Sequence, residues 1–243
     1  MQLVPINVQN KDFEKLMGIY NRAREQLVFQ FETLKQALEE YCKYDVIDHI
    51  TSRIKSPESI IGKMQKKNLD INYKNLIENI NDISGIRIIC TFKDDIKRVK
   101  ELIKRIPNIE ILNEKDFINK PKKSGYSAYH LIVEIPMKYE GQDIYVKSEI
   151  QICTMAMNFW ATAEHKIKYK TKGKLSKIDS KKMEVYAKII NKNTIARPIA
   201  PAFKLVEIAC SPSCAPTTLE RSSSSSRDRE PIRIVEARID ASS

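Results

Sequence analysis

Between residues 11 and 45, apolar side chains recur every three or four positions: Phe13, Leu16, Met17, Tyr20, Leu27, Phe31, Leu34 and Leu38. Lys, Glu, Gln and Arg fill the gaps, which is the pattern of a long helix with one buried stripe. Val46 to Ile54 reads as a short strand. Ser56-Pro57-Glu58 then has the order N-cap, first-turn proline, first-turn acid, so a second helix runs to about Lys67 and carries Ile60, Ile61 and Met64. DISGIRIICTF (82–92) is a dense run of β-branched residues and predicts a buried strand. KDDIKRVKELIKRI (93–106) returns to helical spacing, and 108–116 predicts another strand. A Lys-, Pro-, Gly- and Ser-bearing loop follows (119–130). Residues 129–136 and 143–152 alternate in the manner of strands and pair as a hairpin through KYEGQ. Residues 154–170 and 175–193 predict two more helices. Helices and strands interleave irregularly, without an internal repeat, so the expected class is α+β or a mixed α/β sheet.

Composition changes this picture near residue 195. Residues 1–193 hold 29 Lys and 6 Arg, whereas 194–243 hold 1 Lys and 6 Arg, half of the ten prolines and the run Ser222–Ser226. The chain therefore divides into a folded domain over 1–193 and a low-complexity tail over 194–243, disordered or of foreign origin. No run approaches the roughly 18 apolar residues of a membrane span, and no basic-then-apolar leader opens the sequence. The five cysteines (Cys42, Cys90, Cys153, Cys210, Cys214) are odd in number and fall into neither a disulfide framework nor zinc-type pairs, so the expected compartment is the reducing cytoplasm. The formal charge of +11 suits a polyanionic partner, but equally suits a soluble Lys-rich surface.

Four clusters carry chemistry. Arg53 and Lys55 alternate along one strand and so share a face, with Lys63 and Lys66 in the helix beyond; together they can grip a polyphosphate. Asp82 opens a buried strand and requires a cation, a cap or a metal as partner, with Arg87 five residues on. Lys120 to Tyr126, ending at His130, joins lysines and a glycine to a ring that can stack on a base. Glu149 and Gln151 share a strand face, and Asn158, Thr162 and His165 share a helix face. Each cluster also has a plain reading: a solvated basic surface, a capping acid with a salt-bridged arginine, a packed histidine. Neither GxxxxGK[ST] nor GxGxxG nor HExxH is present, so a nucleotide or metal site must be of another design. Two separated carboxylates beside a basic wall are what metal-assisted phosphoryl transfer needs.

Taken in order, these clusters resemble the synthetase domain of RelA/SpoT-type alarmone synthetases. SRIKSPESIIGKM resembles the family's R-x-K-x-x-x-S-I-x-x-K segment, and NDISGIRIICTF its D-I-x-G-x-R-I motif. KPKKSGYSAYHLIVEIP is similar to its K-P-K-x-x-G-Y loop and strand, and EIQICTMAMNFWATAEHKIKYK to its E-I-Q-I-R-T-x-A-M-x-F-W signature. The likeness covers about residues 45–170 and leaves no room for the hydrolase and regulatory domains of the long enzymes, which points to the small, synthetase-only branch.

The resemblance implies a nucleotidyltransferase-like mixed sheet flanked by helices. It implies ATP as donor, GDP or GTP as acceptor, Mg²⁺ as cofactor, and (p)ppGpp with AMP as products. Arg53, Lys55 and Lys63 would hold the ATP phosphates, with Lys66 and Arg87 at the adenine. Asp82 and Glu149 would hold the metal, and Glu149 would also help to deprotonate the attacking hydroxyl. Tyr126 would stack on guanine, with Lys122, His130, Gln151 and Asn158 around the acceptor. Cys153 departs from the pattern, standing where the family has Arg. The family's tetramer forms through C-terminal helices, which are short here before the tail. Two other readings stay open: a toxin-type relative that modifies tRNA 3′ ends, and an RNA-binding protein without catalysis.

Overall fold

The computed structural model describes residues 6–170 and 177–192; the expected tail, with Cys210 and Cys214, lies outside them. Helix α1 (Lys11–Cys42) is 32 residues long, which at 1.5 Å per residue is about 48 Å. The Asn10 side chain accepts from the Asp12 N–H at its start, and Lys43 in the left-handed region (φ 58°) ends it. Its buried residues are those of the apolar stripe, with Ile19 and Ala23 added and Met17 only partly buried. α1 packs against β1 (Ile47–Ile54), β2 (Ser84–Cys90), β5 (Gln142–Thr154) and β4 (Tyr129–Tyr139), so one helix seals most of one side of the sheet.

The sheet order is β1-β2-β5-β4-β3, with β3 at Glu110–Asp116. β1 and β2 run antiparallel, as do β4 with β5 and β3 with β4; only β2 and β5 run parallel. The expected mixed sheet is therefore present. The hairpin turn lies at Glu140-Gly141, both at positive φ (49° and 81°), as a two-residue hairpin turn requires. Both hairpin strands extend further into KYEGQ than the alternation alone indicates, because main-chain pairing continues to Tyr139↔Gln142.

Helix α2 (Pro57–Lys66) starts as expected, with Ser56 accepting from the Ser59 N–H and Pro57 in the first turn. A short helix α3 (Tyr73–Asn79), capped by Asn72, has no counterpart in the sequence reading; seven residues are too few for a periodic signal. α4 (Lys93–Ile103) and α5 (Met155–Lys170) pack against β2 and β5, and α6 (Lys177–Lys192) packs against α5. Among the described residues no helix is long and apolar enough to cross a membrane.

Leu27 is fully buried near the middle of α1. Leu27→Ala should destabilise the domain by about 2–5 kcal/mol, the range for an unfilled cavity in a close-packed core. Urea denaturation followed by circular dichroism measures this directly.

Candidate active site

The strands place the chemistry by alternation. On β2, Ser84, Ile86 and Ile88 are buried, while Gly85 and Arg87 remain partly exposed. On β5, Ser148, Ile150 and Ile152 are buried, while Glu149 and Gln151 remain partly exposed. The registers Gly85↔Glu149, Arg87↔Gln151, Arg53↔Gly85 and Thr51↔Arg87 bring these positions side by side across three strands. They line a cleft of about 260 Å³ formed by Thr51, Ser52, Arg53, Asp82, Gly85, Ile86, Arg87, Glu149 and Gln151. Gly85 leaves its floor without a side chain: a Cβ there would meet nothing closer than the Arg53 carbonyl at 3.8 Å.

Asp82 sits two residues before β2, not in the strand itself, and its partners are cations. Lys55 Nζ donates to Asp82 Oδ2 at 2.7 Å, and Lys63 Nζ lies 2.8 Å from Oδ1. Burial alone would raise this carboxyl, but the hydrogen bonds and charges of Lys55 and Lys63 outweigh it and hold it below the usual aspartate value. Lys55, one residue past the end of β1 rather than within it, and Lys63 of α2 thus bring two of the expected phosphate-binding lysines to one carboxylate. Lys66, expected beside them, is exposed near the end of α2 and does not line the cleft.

Glu149 is the centre of a second network. Gln151 Nε2 donates to Glu149 Oε2 at 2.7 Å, and His130 Nδ1 lies 3.1 Å from Oε1. Burial pushes the Glu149 carboxyl up, yet the bonds from His130 and Gln151 win, and it lies below the usual glutamate value. An ionised carboxylate only accepts, so His130 Nδ1 carries the proton and donates. In the neutral ring Nε2 then accepts from the Tyr126 hydroxyl, 2.8 Å away. Burial raises the Tyr126 phenol well above its ordinary value, which keeps that hydroxyl protonated. Arg87 donates to Gln151 Oε1 through Nε (3.1 Å) and Nη2 (2.7 Å), and to Asn158 Oδ1 through Nη1 (2.9 Å). One hydrogen-bonded chain therefore links Tyr126, His130, Glu149, Gln151, Arg87 and Asn158.

Lys122 reaches the same region, its ammonium 4.7 Å from the Tyr126 ring centroid. Gly125 stands at φ 80°, and a Cβ on it would fall 2.0 Å from Ala187 Cβ, so α6 lies directly on this loop. Trp160 ties the loop to α5 by donating to the Ser124 carbonyl at 3.2 Å. Cys153 is buried, and burial, opposed by the Arg87 charge, lifts its thiol to about 11; it is a neutral packing residue. Thr51, Ser52, Gly85 and Phe117 are site neighbours that motif reading did not single out. Of these, Ser52 and Gly85 fall inside quoted motif strings, SRIKSPESIIGKM and NDISGIRIICTF.

Residues 52–174 match the region found in RelA / SpoT proteins, which is half of the chain. The chain belongs to the RelA/SpoT family. It is 41% identical over 160 residues to the GTP pyrophosphokinase YwaC of Bacillus subtilis (strain 168), covering 66% of this chain and 76% of that one. It is 35% identical over 168 residues to the GTP pyrophosphokinase YjbM of the same organism, covering 69% and 78%. Its fold superposes with a TM-score of 0.70 on small alarmone synthetase 1 from Bacillus subtilis bound to its product pppGpp, at 32% identity, covering 75% of this chain and 93% of that one. The fold is that of a small alarmone synthetase, with the long N-terminal helix in place.

The depressed Asp82 carboxyl makes a pH prediction. Its ionised form stabilises the fold above its unfolded value of about 4, and that stabilisation is lost as pH falls through the lower folded value. Asp82→Asn should therefore be less stable than the wild type at neutral pH, with the gap closing below about pH 4. Urea denaturation of both proteins between neutrality and about pH 3 tests the sign.

Proposed function

We propose that this RelA/SpoT-family chain transfers pyrophosphate from ATP to the ribose 3′-hydroxyl of GDP or GTP, giving AMP and (p)ppGpp. The observation that carries the proposal is the convergence of Asp82, Glu149, Arg53 and Arg87 on one cleft, with Lys55 and Lys63 at its edge. The acceptor oxygen forms a bond to the β-phosphorus, the bond from that phosphorus to the AMP oxygen breaks, and the hydroxyl proton leaves to Glu149. Glu149 is ionised at neutral pH and accepts the hydroxyl's hydrogen bond before it takes the proton.

Arg53, Lys55 and Lys63 neutralise the donor's phosphates, where charge builds as the group transfers. The guanidinium edges of Arg87 are held by Gln151 and Asn158, which fixes its plane and leaves its faces for adenine stacking. Lys66 would serve the adenine only by leaving its exposed position. Tyr126 stacks on guanine, with Lys122, His130, Gln151 and Asn158 around the acceptor.

The donor set fits Mg²⁺: two carboxylates on one cleft, each close enough for the Asp82 charge to act on Glu149. Mg²⁺ takes few protein carboxylates and completes its shell with phosphates and water. Held by Asp82 and Glu149, it would supply positive charge to the phosphoryl oxygens. Among the described residues no three acidic, His or Cys side chains gather as a protein-only site, which leaves the remaining positions of the shell to phosphate oxygens and water. The protein acts in the cytoplasm. Exposed Phe159 on α5 and Val185, Tyr186 and Ile189 on α6 supply the apolar surface for a homotetramer.

Incubation with γ-labelled ATP, Mg²⁺ and either GDP, GTP or bulk tRNA tests the acceptor. Label should enter guanosine tetra- or pentaphosphate; label entering tRNA alone would replace the proposed acceptor. Glu149→Gln and Asp82→Asn should each cut the initial rate by about 100-fold or more. A near-normal rate in either variant would remove that carboxylate from the mechanism.

A further inference from the structure

Phe117 stands one residue beyond β3, outside every motif that points to the reaction, yet it touches three residues of the acceptor site. Its ring centroid lies 5.1 Å from that of His130 at 83°, and 6.2 Å from that of Tyr126 at 67°. Tyr126 and His130 are themselves 5.8 Å apart at 78°. Three rings thus meet edge to face, each against the other two. The Lys122 ammonium lies 4.7 Å from both the Phe117 and the Tyr126 centroids, so one cation is shared by two ring faces.

The four side chains differ in how firmly the backbone holds them. Phe117 is partly exposed, but its backbone is bonded at both its N–H and its carbonyl. Its N–H donates to the Ala128 carbonyl at 3.0 Å, and its carbonyl accepts from the Ser127 hydroxyl at 3.0 Å. Directly before it, Asp116 Oδ1 accepts from the N–H groups of Ile118 (2.8 Å) and Asn119 (2.9 Å), closing a turn around it. Lys122 and Tyr126 instead belong to a loop with few bonds of its own, Lys122 N–H to the Tyr126 carbonyl (3.1 Å) and Gly125 N–H to the Lys122 carbonyl (2.8 Å). The end of the loop, Ser127 and Ala128, is thus clipped to Phe117 just beyond β3, and the Phe117 ring supports a ring and a cation carried farther along that loop.

We infer that Phe117 is a positioning residue for the acceptor nucleotide: it sets the angle at which Tyr126 meets the base and keeps Lys122 beside that ring. Aromatic edges are positive and faces negative, so Phe117 orients its neighbours by electrostatics as well as by bulk. The inference rests on the acceptor site proposed above and deepens it by adding a residue that touches no substrate. Through Tyr126 and His130 the same ring also bears on Glu149, so base recognition and carboxylate orientation share one support.

The test uses Phe117→Leu, which keeps apolar bulk and loses the ring, with Phe117→Ala and Phe117→Tyr beside it. Binding of a fluorescent N-methylanthraniloyl-GDP is measured without ATP, and the KM values for acceptor and for ATP are measured separately. Phe117→Leu and Phe117→Ala should weaken acceptor binding and raise the acceptor KM by about tenfold, the scale of one aromatic pair plus one cation–π contact. The KM for ATP should move by less than about twofold, and Phe117→Tyr should restore acceptor binding. Unchanged acceptor binding in Phe117→Leu would overturn the inference. So would a parallel rise in both KM values with a lowered melting temperature, which marks a purely structural role. If Phe117→Ala fails to fold, the Leu and Tyr variants decide. A wild type that neither binds the fluorescent nucleotide nor transfers label to GDP or GTP would defeat the acceptor site itself; an active wild type matched by Phe117→Leu would defeat only the role of Phe117.

Discussion

The parallel pairing of β2 with β5 is the constraint on which the site depends. These strands are far apart in sequence, yet their register sets Gly85 beside Glu149 and Arg87 beside Gln151. Because side chains alternate along a strand, a slip of one residue in β5 would turn Glu149 and Gln151 into the α1-facing core and bring Ile150 and Ile152 into the cleft. The apolar alternates on both strands therefore fix the register as they are buried. Core formation and active-site assembly are the same event in this fold.

Charge is arranged around that register so that neither carboxylate is left without compensation. Asp82 faces two lysines, and Glu149 faces two hydrogen-bond donors, one of them the imidazole that Tyr126 holds in its tautomer. Burial of an uncompensated carboxylate would cost several kcal/mol and raise its pKa instead. Here both are kept ionised by partners of different kinds. The lysines on Asp82 are the cations proposed to hold donor phosphates, so in that proposal a polyphosphate that took them would free Asp82 to serve a metal. Glu149 keeps His130 and Gln151 on its own strand pair and needs no such exchange.

Loop 119–128 is supported from three directions. Trp160 of α5 donates to its backbone, Ala187 of α6 fills the space that a side chain at residue 125 would need, and Phe117 backs Tyr126 from the end of β3. A glycine-bearing loop is held in one shape by its neighbours here, since its own internal hydrogen bonds are few.

Much of this was legible in the residues alone. The three-and-four spacing of α1, the Ser-Pro cap of α2, the apolar run of β2 and the turn at Glu140-Gly141 are local signals, written over a few residues by helix geometry, proline and positive φ. The four motifs named the charged and polar residues that, Lys66 apart, the fold gathers at and beside the cleft, because each carries unusual groups close together in sequence. The short helix α3 and the cluster around Phe117 were not legible: seven residues carry no period, and a phenylalanine after a strand looks like any other core residue. Sequence by itself determined the elements other than α3, the family and the cast of charged groups. Tertiary structure alone decided that Asp82 pairs with Lys55 and Lys63, that His130 links Tyr126 to Glu149, and that Arg87 is held by Gln151 and Asn158. Each of those contacts joins residues from different strands, helices or loops, and only strand register and packing bring them within hydrogen-bonding distance.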